Sequence, residues 1–362
     1  MGIKNLHKFL KKHTENAYKE THLSVLTGKR IAIDSNIYLY KFKGCARESW
    51  LTMFVSFALK FRKYNIECIY IYDTKAPIEK NAKKEERKQR KRNAENRITN
   101  IKNAIQEYDE TGKASDLLQE ICSKPQQRLL QLNSHSPLIS KETIDKEIAN
   151  LEGQIINISK YDVELSKRAL ELLGIPYYDS ETEAETLCSY LCCHQVVDAV
   201  LSDDTDVLVY GTPLFLTKFN MKSDFCTELN FMDLLNQLQL TKQQFIDLCI
   251  LSGTDYNDNI PNIGNEKAFK LIQKYKSIEG IEEEKHMDTS VLNYVKVRHL
   301  FSVPEEIQSS KYITTQGYPN FEELMSFFQN HNIRIPESKV KSVFENFQSI
   351  KEERLGGELE PS

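Results

Sequence analysis

No apolar run in this chain is long enough to span a bilayer, and the opening MGIKNLHKFLKKH lacks the sustained apolar stretch of a secretory signal. Neither membrane insertion nor export is expected. Gly2 would suit N-myristoylation, but position 6 is Leu6 rather than Ser or Thr, which excludes it. The eight cysteines show no CxxC spacing, and several lie inside apolar runs. That pattern excludes a disulfide framework and points to reduced, intracellular core thiols. Cys192-Cys193-His194 has no matching second half, so a zinc site is not expected. There is no internal repeat. The net charge of −4 excludes a generic binder of polyanions.

The charge is uneven, however. Residues 75–102 carry eleven Lys/Arg against four Glu, so +7 sits in one strip and −11 in the remainder. A basic strip on an acidic body fits a local contact with nucleic acid.

Short apolar runs alternate with helical patterns. RIAID is a buried strand ending at Asp34, and ECIYIYD is a second ending at Asp73, with the helix ESWLTMFVSFALKFRKY between them. This order predicts a parallel sheet with right-handed crossovers. After the basic strip, Ile98, Ile101, Ile105 and Tyr108 recur at spacings 3, 4, 3, and Ile144, Ile148, Leu151 and Ile155 at 4, 3, 4. Both spacings line one helix face, so two amphipathic helices flank a polar patch near 109–142. The sheet resumes with IPYYD, VDAVLSDDTD and PLFLTKF around the helix SETEAETLCSYLCCHQ. Helices then run from 242 to about 350. The fold class is therefore α/β, a mainly parallel central sheet flanked by helices, with a helical insertion and a helical C-terminal region.

Seven acids stand out: Asp34, Asp73, Glu183, Glu185, Asp204, Asp206 and Asp255. Most follow an apolar strand or helix directly. Strand ends at one edge of a parallel sheet converge, and that edge is where open α/β sheets hold ligands. Carboxylates at 4 Å repel by about 4 kcal/mol per pair at an effective dielectric of 20. A divalent metal, and with it phosphate chemistry, would relieve this. Each acid also has a plainer reading. SDDTD fits an Asp-rich turn, although Asp204 and Asp206 would share one face if extended. Ser180 with Glu183 fits a capping box, which leaves Glu185 unexplained. Lys80 and Arg87, seven apart on a helical pattern, could neutralise a phosphate or the acids themselves, or form a solvated basic face. NIPNIG fits a helix-hairpin-helix turn that offers backbone N–H groups to a phosphate, with Asn262 suited to left-handed angles and Gly264 allowing close approach. An ordinary helix connection would look similar.

MGIKNLHKFL, IAIDSNIYLY, YIYDTKAPIEK, ETEAETLC, SDDTDVLVYG and LCILSGTDYNDNIPNIG occur in an order that resembles the flap endonuclease/XPG family of structure-specific 5′ nucleases. The resemblance spans residues 1 to about 350 and is looser at 100–160. It implies a PIN-like 5′-nuclease core, a helical arch and a helix-hairpin-helix region. It also implies a metal-dependent phosphodiesterase that cuts 5′-flap or branched DNA in replication and repair, with accompanying 5′–3′ exonuclease activity. Asp34, Asp73, Glu183, Glu185, Asp204, Asp206 and Asp255 match the family's metal carboxylates, for two Mg²⁺ about 4 Å apart, replaceable by Mn²⁺. Lys80 and Arg87 match its catalytic cations. Tyr40 matches a residue that stacks on a base, and Gly2 the glycine packed beside the site. Arg90 and Lys91 fall in the arch. Ile260, Ile263, Gly264 and Lys267 fall in the duplex-binding hairpin, which in the family holds a monovalent cation.

The same reading expects a nuclease region over 1–98, a basic arch over 75–165, a second nuclease region over 166–256, hairpin and C-terminal helices over 257–350, and a polar tail over 351–362. It departs from the family pattern in a short segment between Asp34 and Asp73, a long 100–160 insertion and Asn262 at the hairpin's usual first glycine. No sliding-clamp-binding peptide is recognisable. The expected partner is branched or flapped DNA, bound by a monomer inside the cell, in the nucleus or at a cytoplasmic replication site. Two other readings stay open, an RNA-directed nuclease of the same fold and a non-catalytic scaffold for branched nucleic acid.

Overall fold

The computed structural model describes residues 2–74, 80–123, 139–303, 308–312 and 317–345. The polar tail and Lys75 of the basic strip lie outside the described residues. The chain divides into two compact units, Met1–Lys80 with Ser159–Ser362, and Asn81–Ile158.

The first unit begins with α1 (Leu6–His13), β1 (Tyr18–His22), β2 (Arg30–Asp34), α2 (Ser35–Ala46), α3 (Trp50–Lys63) and β3 (Glu67–Asp73). The second unit holds α4 (Asn81–Thr111), α5 (Asp116–Cys122) and α6 (Lys141–Gln154). The chain returns to the first unit with α7 (Lys160–Leu172), β4 (Tyr177–Ser180), α8 (Ala184–Cys193), β5 (Ala199–Leu201), α9 (Asp206–Val209), β6 (Leu214–Thr217) and β7 (Phe225–Asn230). Helices α10 (Phe231–Leu238), α11 (Lys242–Ser252), α12 (Asn265–Tyr275), α13 (Ile278–Lys285), α14 (Tyr294–Leu300) and α15 (Phe321–Asn330) follow, and residues 337–345 are also helical.

The sheet order is β1-β7-β6-β5-β2-β3-β4. The four pairings from β6 through β5, β2 and β3 to β4 are parallel, and the two that join β7 to β6 and to β1 are antiparallel. The mainly parallel sheet expected from residue order is thus present. Its central strands are apolar along nearly their whole length because helices cover both faces. Strands β1 and β7 escape the sequence reading, since YKETH, at a sheet edge, buries one residue and FCTELN, beside it, buries two. Helix α2 escapes it too, because SNIYLY continues the apolar character of the strand before it.

The second unit has its own apolar core. Ile98 and Ile101 of α4 pack with Leu118 and Ile121 of α5 and with Ile144 and Leu151 of α6. The two expected amphipathic helices are therefore joined by a third. Ser115 starts it by accepting from the Leu118 N–H, within a patch that reads as turn-rich because it is short and polar.

In the first unit a buried arginine ties the C-terminal segment to the core. Arg62 of α3 donates to the carbonyls of Leu173 (3.2 Å) and Gly317 (2.5 Å), with its guanidinium 4.7 Å from the Phe344 ring centroid. Gly174 and Gly317 meet so closely, at a positive φ of 64° for Gly174, that a side chain on Gly174 would strike backbone.

Candidate active site

The parallel register delivers acids to one sheet edge. Asp34 ends β2 opposite Ile71, and Asp73 ends β3 opposite Ser180 at the end of β4. Residues 202–206 leave β5 at the same edge, and α8 starts there after β4.

Asp34 is buried and accepts a hydrogen bond from Ser202 Oγ at 2.8 Å. Burial first, then the charges of Asp73 and Asp204, push its carboxyl up to about 8. Asp73, on the exposed rim, accepts from the Ala184 N–H at 2.6 Å and from Asn36 Nδ2 at 2.8 Å. It thereby caps α8 from a neighbouring strand.

Glu183 is the N-cap residue of α8, but its carboxylate does not cap the helix. Ser180 Oγ donates to the Glu183 carbonyl (3.0 Å) and accepts from the Thr182 N–H. The capping-box reading of Ser180 and Glu183 is therefore incorrect. The Glu183 carboxylate is turned inward, with Oε1 2.7 Å from Lys80 Nζ and Oε2 accepting from the Tyr256 hydroxyl at 2.6 Å. Glu185, in the first turn of α8, lies 3.3 Å from the same ammonium. Burial raises its carboxyl well above the ordinary range, Lys80 opposes this, and Glu183, Asp204 and Asp34 reinforce it.

Asp204 and Asp206 do not share an extended strand face, as their spacing suggested. Thr205 has helical angles and Asp206 opens α9. What joins the two acids is a turn, in which the Asp206 N–H donates to Asp204 Oδ1 at 3.1 Å. Asp206 is 1% exposed, and neither of its carboxylate oxygens has a hydrogen-bond partner among the described residues. Burial and the adjacent Asp204 charge hold it well above the ordinary carboxylate range. The Asp-rich-turn reading thus holds at Asp204, while Asp203 makes a separate set of contacts. That carboxylate faces Lys41 at 2.7 Å and accepts from Thr217 Oγ1 and the Lys218 N–H. Burial would raise it, but these contacts keep it below its usual range.

Lys80 is 7% exposed and lies just before α4. Burial alone would lower its pKa, yet Glu185, Asp206 and Glu183 hold it above the ordinary value. Its ammonium also sits 4.8 Å from the Tyr256 ring centroid. Gly2 has φ 78°, and a Cβ there would collide with Asp204 Oδ1 and Asp206 Oδ1. Asp255 follows α11, half-buried, in the loop that also presents Tyr256.

Among the described residues, no three His, Cys, Asp or Glu side chains converge closely enough to hold one ion as they stand. The donor set nevertheless fits Mg²⁺: it is all carboxylate oxygen, buried at five of the seven acids, and includes Asp206 with both oxygens unpartnered among the described residues. Asp34, Asp73, Glu183, Glu185, Asp204, Asp206 and Asp255 are the residues that would hold it.

The remaining candidates are dispersed. Tyr40, on α2, is 40% exposed. Arg87 and Arg90 are exposed on α4, with Arg90 2.5 Å from Glu86. Lys91 donates to the Ile156 carbonyl at 2.9 Å, so part of its donor capacity serves the second unit's own structure. In the 260–264 turn, the Ile263 N–H donates to Ile260 O at 3.1 Å. Asn262, not Gly264, takes the left-handed angle, at φ 63°. Gly264 is extended at φ −123°, with open space where a Cβ would stand. Next to it is an open groove of about 550 Å³, lined by Asn5, Lys8, Lys12, Asn262, Gly264 and Lys267 among others. A second, of about 500 Å³, includes Ile260, Ile263, Lys267, Lys270 and Lys274.

Residue order did not single out Ser202 or Tyr256. The signal for Tyr256 was its place directly after Asp255 in GTDYND; Ser202 carries none beyond preceding the Asp pair.

All eight cysteines are free of disulfides. No helix among the described residues is long and apolar enough to cross a membrane.

Family models match the chain in two places, the XPG N-terminal domain over residues 1–95 and the XPG I-region over 174–255. The chain is 35% identical to "Probable RAD2-like endonuclease 076L" of Invertebrate iridescent virus 3, over 91% of this chain and 93% of that protein. It is 28% identical to "Flap endonuclease 1" of Candida dubliniensis, over 94% and 89%. In structure it resembles the catalytic core of Rad2 in complex with DNA substrate, with a TM-score of 0.64 at 16% identity, covering 96% of this chain and all of that one. At that identity the likeness concerns the fold, while the viral relative carries the family assignment: the chain belongs to the XPG/flap endonuclease family.

Proposed function

We propose that this protein is a Mg²⁺-dependent, structure-specific 5′ endonuclease that hydrolyses the phosphodiester backbone of 5′-flap or branched DNA. One observation carries the reading. Asp206 is a buried carboxylate with both oxygens unpartnered among the described residues, and the charges of Asp204, Asp255 and Glu183 bear on it. A fold does not leave a charge so exposed to its neighbours' repulsion and so poor in donors without a cation to meet it. The names of the relatives, a RAD2-like endonuclease and a flap endonuclease, support the same activity.

Bound metal supplies charge for the scissile phosphate and an activated water, and Mn²⁺ would substitute. The chain's own residues do the rest. Lys80 balances the acid cluster through Glu183 and Glu185 and brings a fixed positive charge to the place where phosphate charge grows. Gly2, lacking a side chain, lets the Asp204–Asp206 turn close against the N-terminal segment. Tyr40 offers an exposed ring on which a base stacks. Arg87 meets phosphate from α4. Lys267 and the backbone of the 260–264 turn hold duplex phosphates without reading sequence.

The test is cleavage of labelled double-flap DNA with Mg²⁺ by the wild type and by Asp206→Asn, beside matched bubble, four-way and structured RNA substrates. The wild type should cut the flap, and the variant should bind it without cutting. A bubble or RNA product with no flap product would overturn the flap assignment. Equal rates for the two proteins would overturn the metal site.

A further inference from the structure

Tyr256 touches one acid of the cluster and the cation that balances it. Its hydroxyl donates to Glu183 Oε2 at 2.6 Å, and Lys80 Nζ lies 4.8 Å from its ring centroid. The other Glu183 oxygen takes Lys80 at 2.7 Å. Glu183 is thus gripped at both oxygens, and the lysine that grips one rests on the ring that grips the other.

The loop that presents Tyr256 is braced from within. Thr254 Oγ1 accepts from the Tyr256 N–H at 3.0 Å and donates to Asn257 Oδ1 at 2.6 Å. Asn257 Nδ2 donates to the carbonyls of Ile250 (3.1 Å) and Asp258 (2.9 Å), and Asn259 Nδ2 to that of Ser252 (2.8 Å). Gly253, at φ 95°, packs against Asn259 where no side chain would fit. The far edge of the ring meets Phe301 at 5.3 Å, edge to face. The tyrosine therefore has little freedom to turn away from Glu183.

We infer that Tyr256 is a positioning residue, which fixes the Glu183 carboxylate through its hydroxyl and the Lys80 ammonium through its ring, and so sets the metal affinity of the acid cluster. The inference rests on the metal-site reading above. A hydrogen bond to a ligating carboxylate orients it, and losing such a partner typically costs 10–100-fold in metal affinity or activity. The ring contributes separately, since a cation over an aromatic face is attracted to it without any hydrogen bond.

The two contributions separate by substitution. Tyr256→Phe removes the hydroxyl and keeps the ring; Tyr256→Leu removes both. Mn²⁺ binding to the DNA-free protein, followed by calorimetry and by electron paramagnetic resonance, should weaken roughly tenfold or more in Tyr256→Phe. Flap binding should be unchanged, and cleavage should recover at high Mg²⁺. Tyr256→Leu should also lower kcat at saturating Mg²⁺, because Lys80 loses its seat. In a Glu183→Gln background, Tyr256→Phe should add much less than it does alone. Wild-type Mn²⁺ affinity in Tyr256→Phe would overturn the inference, as would full additivity with Glu183→Gln. Asp206→Asn serves as the control. If it abolishes Mn²⁺ binding while Tyr256→Phe does not change it, this inference alone fails. If Asp206→Asn binds Mn²⁺ like the wild type, the metal-site reading fails with it.

Discussion

Gly2 lies so close to Asp204 that any side chain at position 2 would overlap the Asp204 carboxylate, and its φ of 78° is one that L-residues adopt at a cost. Gly2→Ala should therefore displace the Asp204–Asp206 turn while the sheet stays folded. Misplacing reacting groups by an ångström costs about 100-fold in rate. Single-turnover cleavage should fall by about that factor, with the thermal midpoint little changed.

Arg87 is exposed on α4, outside the apolar core of its unit. Arg87→Ala should slow single-turnover flap cleavage by about 10²–10³-fold, as removal of a charge that stabilises a transition state does. Flap affinity, read by fluorescence anisotropy, should drop much less. Unchanged rates would return Arg87 to a solvated basic face.

Lys267 and Lys270 line the groove beside the 260–264 turn. Alanine at either position should weaken binding to flaps of any sequence alike. Each lysine that neutralises a phosphate adds about 0.9 to the slope of log affinity against log salt, so each alanine should make that slope shallower by the same amount. Titrations at several salt concentrations measure this.

Arg298 of α14 ties together α11, before the 260–264 turn, and α13, after it. Its guanidinium lies 2.6 Å from Asp247, which is 0% exposed, and 2.5 Å from Glu279. Arg298→Leu leaves Asp247 buried without its cation and should destabilise the fold by about 3–5 kcal/mol, measured by urea unfolding.

The same arginine makes a pH-dependent contribution. Its hydrogen bonds depress the Glu279 carboxyl from 4.5 to about 2, against the opposing effect of burial. A depressed acid stabilises the fold above its unfolded value, and that contribution is lost as pH falls through the folded value. The stability gap between wild type and Glu279→Gln should be constant above pH 4.5 and shrink from there toward about pH 2.

Much of the molecule is legible in the order of its residues. Strands β2 and β3 read clearly because each is buried on both faces and ends on an acid. Strands β1 and β7 did not, because each buries too few residues to show a pattern. Helix α5 was hidden for the same reason, being only two turns long inside a polar patch. Asp34 and Asp73 could be placed at a sheet edge from sequence, since a parallel sheet leaves little choice of where its strands end.

The roles within the cluster were not legible in this way. SDDTD contains three acids, and only the turn into α9 shows that Asp203 faces Lys41 while Asp206 is left without a donor. Ser180 and Glu183 have the spacing of a capping box, yet Glu183 turns inward because Lys80 and Tyr256 offer it better partners. Lys80 and Arg87 look equivalent along a basic strip, and folding buries one and exposes the other. Composition and local pattern specify which residues are acidic, apolar or helical, because those preferences act over a few neighbours. Which carboxylate meets which cation depends on residues as far apart as Lys80, Glu183 and Tyr256, and only the packed chain brings them within hydrogen-bonding distance.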